Sequence, residues 1–285
     1  NDLDGVENGF RDASTKTAEV RTSGTTPADP DRRIVPLAEL LELIHAAGGQ
    51  PDGHGLDLSD ALDGIGYFSV QPLPGKPIRL IVLNTLMNQP AHASGGIGPD
   101  QYDWLETELD RARSADELVI VGGHHRLEDF TMLSSVDSGE VKDLLASYDN
   151  VLLYLVGHGH SNAIRKVESS GGLGFWELMC ASTVDYPQQT RILELVYEGN
   201  DYLSVYVTNL GQNAPPGSPA ARGRALTAAR KIFIWGDVRE RWRDQHSASN
   251  LLLRYKLPAT LAASIEQEQW PERVESLETL KQLPE

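Results

Sequence analysis

Two short stretches concentrate side chains able to bind a metal ion or move a proton. GGHH (Gly122 to His125) and GHGHSN (Gly157 to Asn162) together hold four of the eight histidines in the 285-residue sequence. Each directly follows an apolar, strand-like run: LVIV (118–121) in the first case and VLLYLV (151–156) in the second. An imidazole at a strand end is held by a rigid scaffold, and the glycines beside it let backbone approach closely. Neutral imidazole suits zinc, iron, manganese or nickel, and it complements carboxylates where two metals are held together. A single histidine after a strand is ordinarily a surface or hydrogen-bonded residue. Clusters at two consecutive strand ends differ, because neighbouring strand ends come within reach of each other. A polar crevice without metal is the competing reading. His45 on a predicted helix, and His54, His92 and His246 in polar surroundings, carry no such expectation.

Other chemistries find little support. The sequence has no Gly-x-Ser-x-Gly elbow and no phosphate-cradling P-loop. Cys180 is the only cysteine, which rules out an intrachain disulfide and a cysteine-based zinc site. Within WELMCAS it reads as a small buried side chain. Lys and Arg number 25 against 41 Asp and Glu, a net charge of −16. That charge disfavours nucleic acid and anionic membranes as partners, yet permits a small phosphate ester drawn in by a local metal charge. The composition is that of a soluble globular protein, and no apolar run approaches the roughly 18 to 20 residues of a membrane span. The chain begins at Asn1 without a leader-like stretch, so its compartment stays open, export included.

The elements that must position the histidines follow from hydrophobic periodicity. Leu37, Leu40, Leu41 and Ile44 have helical spacing between Pro36 and Gly48. GYFSV and IRLIVLNT (78–85) read as strands, the second apolar on both faces as in the interior of a covered sheet. Pro99 opens a helix with Tyr102, Leu105, Leu109 and Ala112 on one stripe. Ser138 is the predicted cap of another, with Val141, Leu144, Leu145 and Tyr148 on one face. This alternation of strand and helix predicts an α/β core. NAIRKV, GFWELM, RILELVYE and YLSVYVT then read as shorter strands, the last two joined by a turn at Glu198 to Asp201.

GGHH, followed about thirty residues later by a strand and GHGHSN, resembles the last two signature blocks of the calcineurin-like metallophosphoesterase superfamily. IRLIVLNT resembles that family's strand ending in Asp-Thr, and GPDQYDWLETELDRA resembles its Gln-x-x-Trp-Leu helix. ASTVDYPQQTRILEL and NLLLRYKLP are similar to a bacterial subgroup, and the likeness covers roughly residues 50 to 210. The resemblance implies an α/β fold in the form of a double β-sandwich flanked by helices. It also implies two divalent metals, manganese, iron or zinc, that activate a water for attack on phosphorus. Carried over by position, His124 and His158 would bind one metal and His160 the other. His125 would be a catalytic or substrate-contacting residue, and Asn162 a substrate contact or a support for the ligands.

Three earlier family blocks, Asp-x-His, Gly-Asp-x-x-Asp and Gly-Asn-His-Asp or -Glu, have no clear counterpart here. Asp52-Gly53-His54, Asp244-Gln245-His246 and Gly236-Asp237-Val238-Arg239-Glu240 match by spelling but stand in the wrong places. Asn1-Asp2-Leu3-Asp4 could mark the third block, which would make Asp2 a ligand. The reading is therefore the C-terminal part of a phosphomonoesterase or phosphodiesterase, incomplete on its N-terminal side. One weak metal site or none is expected in this chain alone, with little activity. A partner or the absent half would cover the open sheet. The alternative is a non-catalytic relative that binds a ligand or partner through the crevice. The expected organisation is a loop-rich segment (1–33), the core (34–212), and a linker with a mainly helical extension (213–285).

Overall fold

The computed structural model describes residues 8–12, 17–21, 31, 33–49, 51–86, 94–131, 134–168, 174–235 and 250–267. The predicted N-terminal loop contains an antiparallel hairpin, β1 (Asn8–Asp12) and β2 (Thr17–Arg21). Helix α1 (Leu37–Ala46) starts after Pro36, as its spacing predicts, and the chain leaves it through Gly48 in a left-handed conformation. A short helix, α2 (Leu58–Leu62), is capped by the Asp57 carboxylate, which accepts from the Ser59 N–H.

A mixed six-stranded sheet follows. It takes β3 (Phe68–Val70), β4 (Ile78–Val82), β5 (Leu118–Gly122), β6 (Val151–Val156), β7 (Ala163–Glu168) and β8 (Gly174–Met179), in the order β3-β4-β5-β6-β8-β7. Strands β4, β5, β6 and β8 run parallel, and an antiparallel strand closes each edge. The crossovers are α3 (Pro99–Ser114) between β4 and β5, and α4 (Ser138–Ala146) between β5 and β6. The cap of α4 is Asp137, not the predicted Ser138. Its carboxylate accepts from the Gly139 N–H while Glu140 reaches back to the Asp137 N–H, so both carboxylates satisfy free donors of the first turn.

A second sheet, in the order β11-β10-β9, packs on the first. It comprises β9 (Gln189–Gly199), β10 (Tyr202–Gly211) and β11 (Leu251–Lys256), all antiparallel. The predicted turn at Glu198–Asp201 joins β9 to β10, with Gly199, Asn200 and Asp201 all at positive φ. Helix α5 (Pro219–Trp235) lies in the stretch expected to be linker and helix, and α6 (Ala259–Gln267) follows β11. Thus part of the stretch beyond 213 is strand, and it belongs to the second sheet.

The period-two geometry of a strand divides each apolar run between two cores. Val119 and Val121 of β5 join Leu105, Leu109, Leu144 and Leu145 of α3 and α4. Leu118 and Ile120 point the other way and meet Leu203, Val205 and Val207 of β10, with Leu253 of β11 and Ile265 of α6. Both faces of the large sheet therefore carry a packed core. Exposed apolar side chains include Leu40 and Leu43 of α1 and Leu58 and Leu62 of α2. The β7 edge strand carries Arg165 and Lys166, which discourage pairing with another chain. Among the described residues, no helix is long and apolar enough to cross a membrane.

One buried ion pair pins the N-terminal ends of β4 and β5. Arg79 donates to Glu117 through Nε (2.5 Å) and a terminal nitrogen (2.9 Å), with side chains 7% and 4% exposed. Gln71 donates to the same carboxylate at 2.6 Å, and Arg79 reaches Ser69 at 3.1 Å. Removing Glu117 leaves the desolvated Arg79 with only Glu108, 3.9 Å away, as counter-charge. Glu117→Ala is therefore expected to lower the unfolding free energy by about 3–5 kcal/mol, measured by urea denaturation. A joint Arg79→Met/Glu117→Leu replacement, which removes both charges, should lie closer to the native value.

Candidate metal centre

The parallel pairing of β5 with β6 sets Gly122 opposite Leu155, so the two strands end side by side. Two backbone hydrogen bonds then stitch the loops beyond them: Gly123 N–H to the Leu155 carbonyl (2.9 Å) and Gly157 N–H to the His124 carbonyl (3.0 Å). His124 and His125 leave β5, and His158 leaves β6. Ring centroids stand 4.8 Å apart for His124 and His125, 5.3 Å for His124 and His158, and 4.6 Å for His125 and His158. One nitrogen from each ring can be chosen so that all three lie within 4.8 Å of one another.

His125 is buried and is held at several points. Its carbonyl accepts from the Tyr154 hydroxyl at 2.8 Å, and its Nδ1 lies 2.9 Å from Thr85 Oγ1 just beyond β4. The same Oγ1 accepts from the His125 N–H at 3.3 Å. Gln101 of α3 braces the preceding Asn84, accepting from its N–H (2.8 Å) and donating to its carbonyl (2.9 Å). Gly95 packs over His125 so closely that a Cβ there would stand 2.4 Å from the His125 Cβ. Three adjacent strands and one helix thus fix this imidazole.

The electrostatics favour neutral rings. Burial lowers the affinity of His124 and His125 for a proton, and the neighbouring His158 lowers both further, with Asp129 opposing. Neutral imidazole has the lone pair that a cation needs. Asp129 is close enough to contribute charge, but its oxygens are taken by Arg126 at 2.8 and 2.7 Å. Burial would raise this carboxyl, yet the Arg126 hydrogen bonds and charge outweigh it and hold the group below its ordinary range.

The structure gathers His124, His158 and His125, while the His160 ring turns to Asp185 yet stays close enough to act on His124. The His160 Nδ1 lies 3.2 Å from Asp185, whose carboxylate also meets Arg230 of α5 at 3.5 Å. Asn162 is buried and ties two loops: Oδ1 accepts from the Ala181 N–H (3.0 Å), and Nδ2 donates to Gln189 (2.8 Å). Asp2 lies outside the described residues, as do His92, Asp237, Glu240, Asp244 and His246. Asp52 and His54 occupy a 3₁₀ turn against α1. Thr85, Asp129 and Asp185 are the site residues that sequence reasoning passes over. Thr85 had a signal in its place at the end of IRLIVLNT, and Asp185 in its place within ASTVDYPQQTRILEL.

No family model matches the chain, and no curated protein does. Among solved structures, a dimetal phosphatase from Danio rerio is similar at 16% identity and a TM-score of 0.38. That match covers 53% of this chain and 60% of the other, so the chain spans less than two thirds of the protein it resembles.

Both histidines of GHGH adopt left-handed backbone, His158 at φ 62° and His160 at φ 51°. Non-glycine residues strain there, and such strain gathers at functional sites. His158→Gly is expected to raise the unfolding free energy by about 1 kcal/mol in urea while removing the ring from the cluster. A fall in stability would show that the ring contributes more by packing than its backbone costs. Gly95→Ala should displace His125, seen as a changed His125 imidazole resonance in a protein that still unfolds cooperatively.

Proposed function

We propose that the crevice lined by His124, His125 and His158 is the seat of one divalent cation, and that the chain serves in metal-dependent hydrolysis of a phosphomonoester or phosphodiester. The observation that carries this reading is the convergence of three imidazoles from two adjacent strand ends, in a sequence whose motifs resemble metallophosphoesterases. Imidazole nitrogen donors fit manganese, iron or zinc. When bound, such a cation supplies an activated water and offsets negative charge developing on the phosphoryl oxygens. Burial lowers the proton affinity of His124 and His125, and Tyr154, Thr85 and the stitched loops hold the cluster from below.

A bridged pair of metals does not fit the described residues. The cluster contains no carboxylate, Asp129 is occupied by Arg126, and His160 faces Asp185. This same feature favours a second reading, a binding module that holds one cation and a ligand without turnover.

Titration calorimetry with manganese or zinc tests the proposal. One cation per chain is expected, with affinity reduced about tenfold or more in His158→Ala. Manganese-dependent hydrolysis of p-nitrophenyl phosphate or its bis ester, lost in His158→Ala, would support the hydrolase. One bound cation without hydrolysis would favour the binding module, and failure to bind any cation would overturn the metal centre.

A further inference from the structure

We propose that Thr85 locks His125 in its Nε2–H tautomer, which makes His125 a hydrogen-bond donor to a phosphoryl oxygen and excludes it from ligating the cation. The inference deepens the metal-dependent reading above and rests on it for the identity of the acceptor.

The argument is one of proton accounting. Thr85 is 2% exposed, so water does not complete its hydrogen bonding. Its Oγ1 already accepts from the His125 N–H at 3.3 Å and lies 2.9 Å from the His125 Nδ1. A threonine hydroxyl carries one proton. Among the described residues, the partner available to that proton is Nδ1. If Nδ1–H instead donated to Oγ1, the hydroxyl proton would stay buried without an acceptor, which native interiors avoid. The hydroxyl therefore donates to Nδ1, the Nδ1 lone pair is used, and the ring proton resides on Nε2. A neutral imidazole in that state has no free lone pair for a cation.

His160 provides the opposite case within the same chain. Its Nδ1 faces the Asp185 carboxylate at 3.2 Å, and an ionised carboxylate only accepts. In the neutral ring Nδ1–H then donates to Asp185 and leaves the lone pair on Nε2, the arrangement that ligating histidines favour. Thr85 and Asp185 thus impose contrary polarities on two imidazoles that look alike in sequence. Within the cluster, His124 and His158 remain to hold the cation. The His125 ring, 4.8 and 4.6 Å from theirs between centroids, is within reach of a tetrahedral anion bound there. Thr85 is a positioning residue, acting through His125.

Long-range proton–nitrogen correlation spectra of the metal-free, nitrogen-15-labelled protein test the tautomer directly. His125 should show a pyridine-type Nδ1 and a pyrrole-type Nε2, with His160 showing the reverse. Thr85→Val should abolish the His125 preference and Thr85→Ser should restore it. A pyrrole-type Nδ1 at His125 in the unsubstituted protein overturns the proposal, whether or not the Thr85 variants fold. Zinc calorimetry supplies a second arm: His124→Ala and His158→Ala should weaken binding about tenfold or more, and His125→Ala by less than about twofold. Loss of zinc in His125→Ala equal to theirs also overturns it. Inorganic phosphate should bind the zinc-loaded protein more weakly after His125→Ala, and unchanged phosphate binding removes the donor role. If the unsubstituted protein takes up no zinc, the metal reading falls, and the spectra still decide the role of Thr85.

Discussion

The candidate site depends on the parallel ladder of β4, β5 and β6. Parallel strands leave their C-terminal ends on one edge of a sheet, so the residues after them share a crevice regardless of sequence distance. Here Thr85, the His124–His125 pair and His158 come from three successive strand ends separated by two helical crossovers. The ladder in turn relies on burial of both faces, with α3 and α4 over one and the three-stranded sheet over the other. At the opposite end of β4 and β5 the Arg79–Glu117 pair fixes their relative alignment. Shifting one strand by a residue would exchange its two cores and turn its terminal histidine away.

On that scaffold the site combines desolvation with close approach. Burial and the neighbouring His158 lower the proton affinity of His124 and His125, and the backbone bonds between the two loops keep the rings close. The cost shows in the left-handed conformations of His158 and His160, which a rigid strand end can impose. The surrounding carboxylates are engaged locally, Asp129 by Arg126 and Asp185 by His160 and Arg230. Among the described residues, this arrangement leaves three imidazoles close together without a carboxylate in the group.

Much of the architecture was legible from patterning. The helices at 37–46 and 99–114, the strands at 78–82, 118–122 and 151–156, and the turn at 198–201 all follow from periodicity and punctuating residues. The N-terminal hairpin was not, because short polar strands lack an apolar alternation to reveal them. Nor was the cap of α4, where Asp137 and Ser138 both have the chemistry and only backbone geometry separates them. NLLLRY was visibly apolar, yet nothing local tells which strand it joins. Its place beside β10 is a contact across more than forty residues.

By itself the sequence determined that four histidines stand at two strand ends, since an apolar run and a glycine define each position within a few residues. It could not determine which of them meet. His125 and His160 look equivalent as ring donors, but one faces a buried hydroxyl and the other a carboxylate. Thr85 is forty residues from His125 and Asp185 is twenty-five from His160, so these partners exist only once the strands are paired and the loops closed. The partner each ring meets is set by such long-range hydrogen bonds, which side-chain type and spacing do not encode.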